Sequence, residues 1–259
     1  INIDSQESLV EEVIVTATKT EKTLQEVPVA VSVVTSDVIE KATILDTFDL
    51  KSVIPSLDTR QYQSSTNATF FIRGFGNGSN NPGVEPSVAL FVDGVYRSKT
   101  QSQISDLPML ERIEVLRGPQ STLFGKNASA GVINIVTKKP SFDKSTSVTA
   151  GIGKYNSRIG KIYTTGSINE TTAYSFSANF NKRDGHSDNP VTGSSVNNRD
   201  RFGIRAELLF VPSDNLSVRV TADYDEYDEI CCAVGSTSYG TANVVTSLFG
   251  GKIIPNDPY

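Results

Sequence analysis

The chain has 259 residues, 37% of them hydrophobic, and carries 29 acidic against 24 basic side chains for a net charge of -5. That is enough apolar material for at least one buried core, and the acidic balance excludes a nucleic-acid binder that needs a concentrated basic surface. No run approaches the ~18 apolar residues of a membrane-crossing helix, and the amino end has no charged segment followed by an apolar one, so any signal peptide is expected to have been removed.

In chain order, the first feature is EEVIVTA at 11–17, where Val13, Ile14 and Val15 form a short β-prone run in a polar tail. Such a run suits addition to the edge of a partner's sheet; the alternative is a first strand of the chain's own fold. Short apolar runs follow at 28–34, 70–72, 88–92 and 132–136, separated by turn-rich or helix-like stretches. Asp37 with Glu40 three residues on resembles a helix start, and Leu50, Val53 and Ile54 give an apolar stripe that Pro55 ends. This half reads as a small mixed α/β domain.

Gly74, Gly76 and Gly78 lack dinucleotide-binding spacing and, with Asn77, Asn80 and Asn81, read as a flexible apical loop. Arg73 and Arg117 each precede a glycine at the end of an apolar strand, where a buried cation requires a carboxylate, with Glu111 and Glu114 as local candidates. Residues 118–126 are not a phosphate-binding loop, because six residues separate the two glycines and Asn127 replaces the hydroxyl that magnesium needs. Pro119 and Gly125 instead bracket a single helical turn.

The texture changes near Pro140. Beyond it, residues alternate between apolar and polar, most clearly at 201–210, where Phe202, Ile204, Ala206, Leu208 and Phe210 oppose Arg201, Gly203, Arg205 and Glu207. The pattern recurs at 216–225 and 174–181 and, more briefly, at 148–152; a strand at 158–168 is placed by length and position, since its alternation is poor. Runs of roughly ten residues suit tilted strands across a bilayer. The links at 169–172 and 212–215 are tight while 184–200 and 229–259 are long and rich in Gly, Ser and Asn, as in outer-membrane barrels. Five strands cannot close such a barrel, so the chain reads as incomplete. His186 falls in a long loop and reads as solvated. Cys231 and Cys232 are adjacent, so they form either a vicinal disulfide or bonds to cysteines further on.

At three places the residues resemble one family, the TonB-dependent outer-membrane receptors: LERIEVLRGPQSTLFGKNASAGVINIVTKKP at 110–140, FIRGFG at 71–76 with VALFVDGVY at 88–96, and EEVIVTA at 11–17. The resemblance implies a small α/β plug domain followed by an antiparallel transmembrane β-barrel of about 22 strands, of which about five are present. It implies a periplasmic tail at 1–20, the plug at 21–140 and the first part of the barrel at 141–259. Glu12, Val13, Ile14, Val15, Thr16 and Ala17 then correspond to the TonB box, which a TonB-type energy-coupling protein grips. Arg73 and Arg117 correspond to cations that lock the plug to barrel glutamates. The apical loops at 75–83 and 96–103 face the outer vestibule, making Asn77, Asn80, Tyr96, Arg97 and Gln101 candidate ligand contacts.

The function so implied is active import of a scarce, large nutrient, with an iron chelate such as a ferric siderophore preferred. The alternatives are uptake of an oligosaccharide or other nutrient, and a binding or adhesion receptor without net transport. An enzyme is not expected: the sequence offers no nucleophile and base pair, no metal cluster and no cofactor fingerprint. The implied location is the bacterial outer membrane, with the amino terminus in the periplasm. The implied partners are lipid, the remainder of the barrel and a small-molecule or oligosaccharide ligand, with no nucleic acid.

Overall fold

The computed structural model describes residues 14–16, 19–20, 22–61, 67–77, 83–99, 106, 109–189, 193–231 and 248. The chain opens with a hairpin of β1 (Ile14–Val15) and β2 (Lys22–Thr23), then β3 (Ala30–Thr35) and helix α1 (Ser36–Lys41). Thr35, with extended backbone, precedes α1, while Asp37 lies in its first turn and pairs with Lys41 at 2.6 Å across one helical turn. The stripe before Pro55 forms a 3-10 turn, Asp49–Ser52. Next come β4 (Leu57–Gln61), β5 (Ala68–Ile72), β6 (Phe75–Gly76), β7 (Val88–Val92), β8 (Val95–Tyr96), β9 (Leu110–Arg117), the turn of helix α2 (Ser121–Phe124) and β10 (Gly131–Thr137).

The plug's main sheet runs β3-β9-β10-β7-β8, with β7 and β10 parallel and the other pairs antiparallel. The parallel pair reads VALFV and GVINIVT because both of its faces are covered, so alternation gives way to a nearly continuous apolar run. One face packs Leu90, Ile113 and Ile133 against Ile39, Leu50 and Ile54 of the helical segments. The other packs Phe91, Leu116 and Val132 against Val15 of the amino-terminal hairpin, Val27 and Phe124.

Residues 73–76 differ from the flexible loop expected of them. Arg73 and Gly74 have φ of 53° and 80° and join β5 to β6 as a two-residue hairpin turn; Asp93 and Gly94, at 48° and 80°, do the same between β7 and β8. Positive φ at both positions fits the twist of the flanking strands, and glycine supplies the second at no steric cost. Asn77 is described; Asn80 and Asn81 lie outside the described residues.

The second half forms one antiparallel sheet in strict chain order: β11 (Ser145–Gly153), β12 (Ser157–Asn169), β13 (Thr172–Arg183), β16 (Arg199–Ser213) and β17 (Leu216–Tyr227). A two-stranded excursion, β14 (Ser187–Asp188) with β15 (Ser195–Val196), lies in the long connection and follows His186. The first connection on the side of the long loops, 154–156, is as tight as the turns at the opposite edge, so the contrast in loop length begins only at the second. Phe176, Phe202, Ile204, Leu208 and Val220 stand exposed on the outward face, while Tyr163, Ser175, Asn181, Arg201 and Glu207 are buried on the inward face against the plug. The poor alternation of β12 has a local cause: Gly160 pairs with Phe180, whose ring occupies the space a side chain at 160 would need. The architecture is an α/β plug seated against the first five strands of a barrel wall.

Candidate functional site

The amino-terminal segment is built into the plug. Val15 is fully buried in the second core, and Ile14 and Val15 pair with Thr23 and Lys22. Beyond them, the Thr16 backbone N–H donates to Glu114 Oε1 at 2.8 Å and its hydroxyl to the same oxygen at 3.1 Å. Glu114, on the central strand β9, has no exposed surface. Its charge is met by Arg112 Nε at 2.7 Å, and Asn134 Nδ2 on β10 donates to both Glu114 Oε2 and the Thr16 hydroxyl. Of the candidate box residues, the structure places Ile14, Val15 and Thr16 together on this latch; Glu12, Val13 and Ala17 lie outside the described residues.

Arg73 is exposed at its hairpin turn, where its backbone N–H donates to Ser56 O at 2.8 Å. Arg117 ends β9 half-buried, and its Nε has no hydrogen-bond partner among the described residues. Glu111 and Glu114 both pair with Arg112 rather than with Arg117.

The ion pairs described between plug and wall use the opposite polarity, with cations on the wall and carboxylates on the plug. Asp93, at the β7–β8 turn, accepts Thr137 N at 2.9 Å, the Thr137 hydroxyl at 2.7 Å and Arg205 Nη2 of β16 at 2.6 Å. Arg219 of β17 approaches the same carboxylate at 3.4 Å, and Glu207 accepts from Arg205 Nε at 2.7 Å. Near the other end of β16, Arg201 donates to plug residues Asp46 and Asp106 and to Glu229 just past β17. Sequence reasoning missed Asp46, Asp93 and Asp106 entirely. The available signal was the charge of Arg201, Arg205 and Glu207 at every second or fourth position on the face opposite Phe202 and Ile204.

The candidate ligand residues separate. Asn77 Nδ2 donates to the Glu85 carbonyl at 3.0 Å. The Tyr96 ring lies 5.3 Å from that of Phe91, and its hydroxyl accepts from Asn127 Nδ2 at 2.5 Å, so it helps close the second core. Arg97 lines a recess between plug and wall with Asp106, Arg205, Asp223 and Asp225. Asn80 and Gln101 lie outside the described residues. Cys231 is disulfide-bonded, and the sequence holds one other cysteine, Cys232.

Residues 23–132 match the family model of the TonB-dependent receptor plug domain. The pesticin receptor of Yersinia enterocolitica is 31% identical over 196 residues, covering 75% of this chain and 27% of that protein. The vitamin B12 transporter BtuB of Vibrio vulnificus is 27% identical over 243 residues, covering 88% and 37%. Among solved structures, the ferric yersiniabactin uptake receptor FyuA of Yersinia pestis superposes with a TM-score of 0.71 at 28% identity, over 76% of this chain and 31% of that one. The pyoverdine outer membrane receptor FpvA of Pseudomonas aeruginosa PAO1 superposes at 0.68 with 20% identity, a likeness of fold alone. The match thus spans 27% to 37% of the length of these curated relatives. With its plug seated against five antiparallel wall strands, the chain belongs to the TonB-dependent receptor family.

Proposed function

We propose that this chain is the amino-terminal part of an outer-membrane receptor that imports a scarce, large nutrient, a ferric chelate by preference, using work delivered through residues 12–17. The observation that carries the reading is the seating of Val15 and Thr16 in the plug: a coupling protein that takes this strand onto its own sheet edge pulls directly on the plug's central strand through Glu114. The relatives support the nutrient class, since the pesticin receptor and the ferric yersiniabactin uptake receptor stand beside a vitamin B12 transporter. That last relative keeps other large nutrients open as the alternative.

In this reading residues 1–20 are a periplasmic tail, 21–140 the plug and 141–259 the beginning of the wall, whose exposed apolar face meets lipid. Arg73 and Arg117 reach for carboxylates on later wall strands, and the Nε of Arg117, which has no hydrogen-bond partner among the described residues, supports that role. Asn77, Asn80, Tyr96, Arg97 and Gln101 are the proposed ligand contacts, with Tyr96 acting through the packing of its loop.

The test is accumulation of a panel of labelled ferric chelates and of vitamin B12 by cells carrying the full receptor, with the inner membrane energised or collapsed by a protonophore. One ligand is expected to accumulate only when energy is available. Energy-independent binding without accumulation of any ligand contradicts import.

A further inference from the structure

Asp46 and Asp106 face each other across an isolated antiparallel bridge in the plug. Their side chains are 0% and 3% exposed. Asp49 lies nearby and accepts the backbone N–H groups of Leu45 and Asp46 at 2.9 and 3.3 Å. Burial first, and the Asp46 charge second, push the Asp49 carboxyl above its usual range. Three carboxylates gathered in so little water repel one another, and each is strongly destabilising unless a cation meets it.

The ion pairs that meet Asp46 and Asp106 run to the wall. Arg201 Nη1 donates to Asp46 Oδ2 and to Asp106 Oδ1, each at 2.9 Å, and Arg199 approaches Asp46 Oδ2 at 3.1 Å. Lys161 of β12 adds a third wall cation whose field acts on Asp46, Asp49 and Asp106. The plug contributes acid to this junction and the wall contributes base.

Arg201 is also held from its own side. Its Nε and Nη2 donate to Glu229 at 2.5 and 3.3 Å, and its guanidinium lies 5.3 Å from the centre of the Tyr227 ring. If the plug moves away from β16, Arg201 keeps a carboxylate and an aromatic face. Asp46 and Asp106 lose their shared donor. The cost of separation therefore falls on the plug.

We propose that Arg201 is the positioning residue that keeps the Asp46–Asp106 bridge closed, so that withdrawal of the plug from β16 leaves these acids mutually repelling and opens the bridge. The plug is then stable where it sits and self-loosening once displaced, and Asp46 and Asp106 part first. This role rests on the fold and the ion pairs alone. It holds whatever the receptor carries.

The test uses the full receptor in planar bilayers, with passive ion conductance as the readout and heat-modifiable gel mobility as the check on barrel assembly. Arg201→Gln is expected to raise conductance about tenfold, since a buried acid pair has lost its cation. Arg201→Lys is expected to restore part of the closure. The decisive variant combines Arg201→Gln with Asp46→Asn and Asp106→Asn, because amides can bridge without a counter-charge; its conductance should return to that of the wild type. A wild-type conductance for Arg201→Gln, or a triple variant as leaky as the single one, overturns the proposal. If Arg201→Gln alone does not assemble, the triple variant must assemble; its failure to do so also overturns the proposal.

Discussion

Glu114 holds Thr16 by its backbone: the carboxylate accepts the Thr16 N–H at 2.8 Å from a site with no solvent exposure, 98 residues along the chain. One edge of the amino-terminal strand is occupied by β2, and the next backbone donor is occupied by Glu114. A pull on this strand is therefore borne by the Glu114 carboxylate and passes to β9.

Glu114→Ala removes the acceptor and leaves Arg112, whose side chain is 12% exposed, with Glu111 alone. Breaking a buried charged pair of this kind costs about 3 kcal/mol. With a cysteine at position 15, which is fully buried, its labelling rate in the assembled receptor is expected to rise at least about tenfold in the Glu114→Ala background, the ratio that about 1.4 kcal/mol represents. An unchanged rate means that the core around Val15 holds the segment without the latch.

Gly131→Ala tests the junction of β9 and β10. A Cβ at 131 would lie 2.4 Å from the Leu116 carbonyl oxygen and 2.6 Å from Ile72 Cδ1. The first contact is backbone and cannot swing aside, so overpacking is expected to cost about 1–3 kcal/mol. Proteolysis of the plug within the assembled receptor should become faster, with the barrel left intact on gels.

Asp93 separates turn geometry from charge. Asparagine tolerates the positive φ at this position and can still accept from Thr137 N, but it gives up the charged contact with Arg205. Asp93→Asn is expected to cost about 1.5–3 kcal/mol of plug retention, as for a hydrogen bond to a charged group. Asp93→Ala should cost more, because it also leaves the Thr137 hydroxyl and N–H without their acceptor. Urea-induced release of the plug, followed by a fluorescent label on a plug cysteine, measures both.

Val220 tests the direction of the wall. It is 60% exposed on the outward face of β17. Val220→Arg places a charge toward lipid and is expected to cost about 2–4 kcal/mol near the bilayer midplane, with less receptor assembled in the outer membrane. Val220→Thr should assemble nearly as well as the wild type. Equal assembly of the Arg variant contradicts a lipid-facing surface.

Much of this fold is legible in the residues because local pattern and final environment agree. The alternation at 201–210 survives in β16, with Phe202 and Ile204 outward and Arg201 inward, and the continuous apolar runs at 88–92 and 132–136 become the doubly covered pair β7 and β10. β12 was harder to see because Gly160 leaves a gap in the apolar series that Phe180 fills from the next strand. The Asp93-Gly94 pair is a hairpin signal, whereas Arg73-Gly74 is not, since arginine is not among the residues that favour the first position of such a turn, and the glycines at 74, 76 and 78 read as a loop. The ion pairs were the least legible part. Asp46 and Arg201 are 155 residues apart, and no local pattern tells a charge facing a plug from one facing water.

In the function proposed above, the strand at residues 14–16 carries work into the plug of an importing receptor. The most direct measurement compares ligand binding and ligand accumulation by cells carrying the full receptor, intact or with Val15→Pro, which removes a backbone donor and bends the strand. Binding that survives while accumulation disappears is the predicted result. Accumulation at the wild-type rate would contradict the claim.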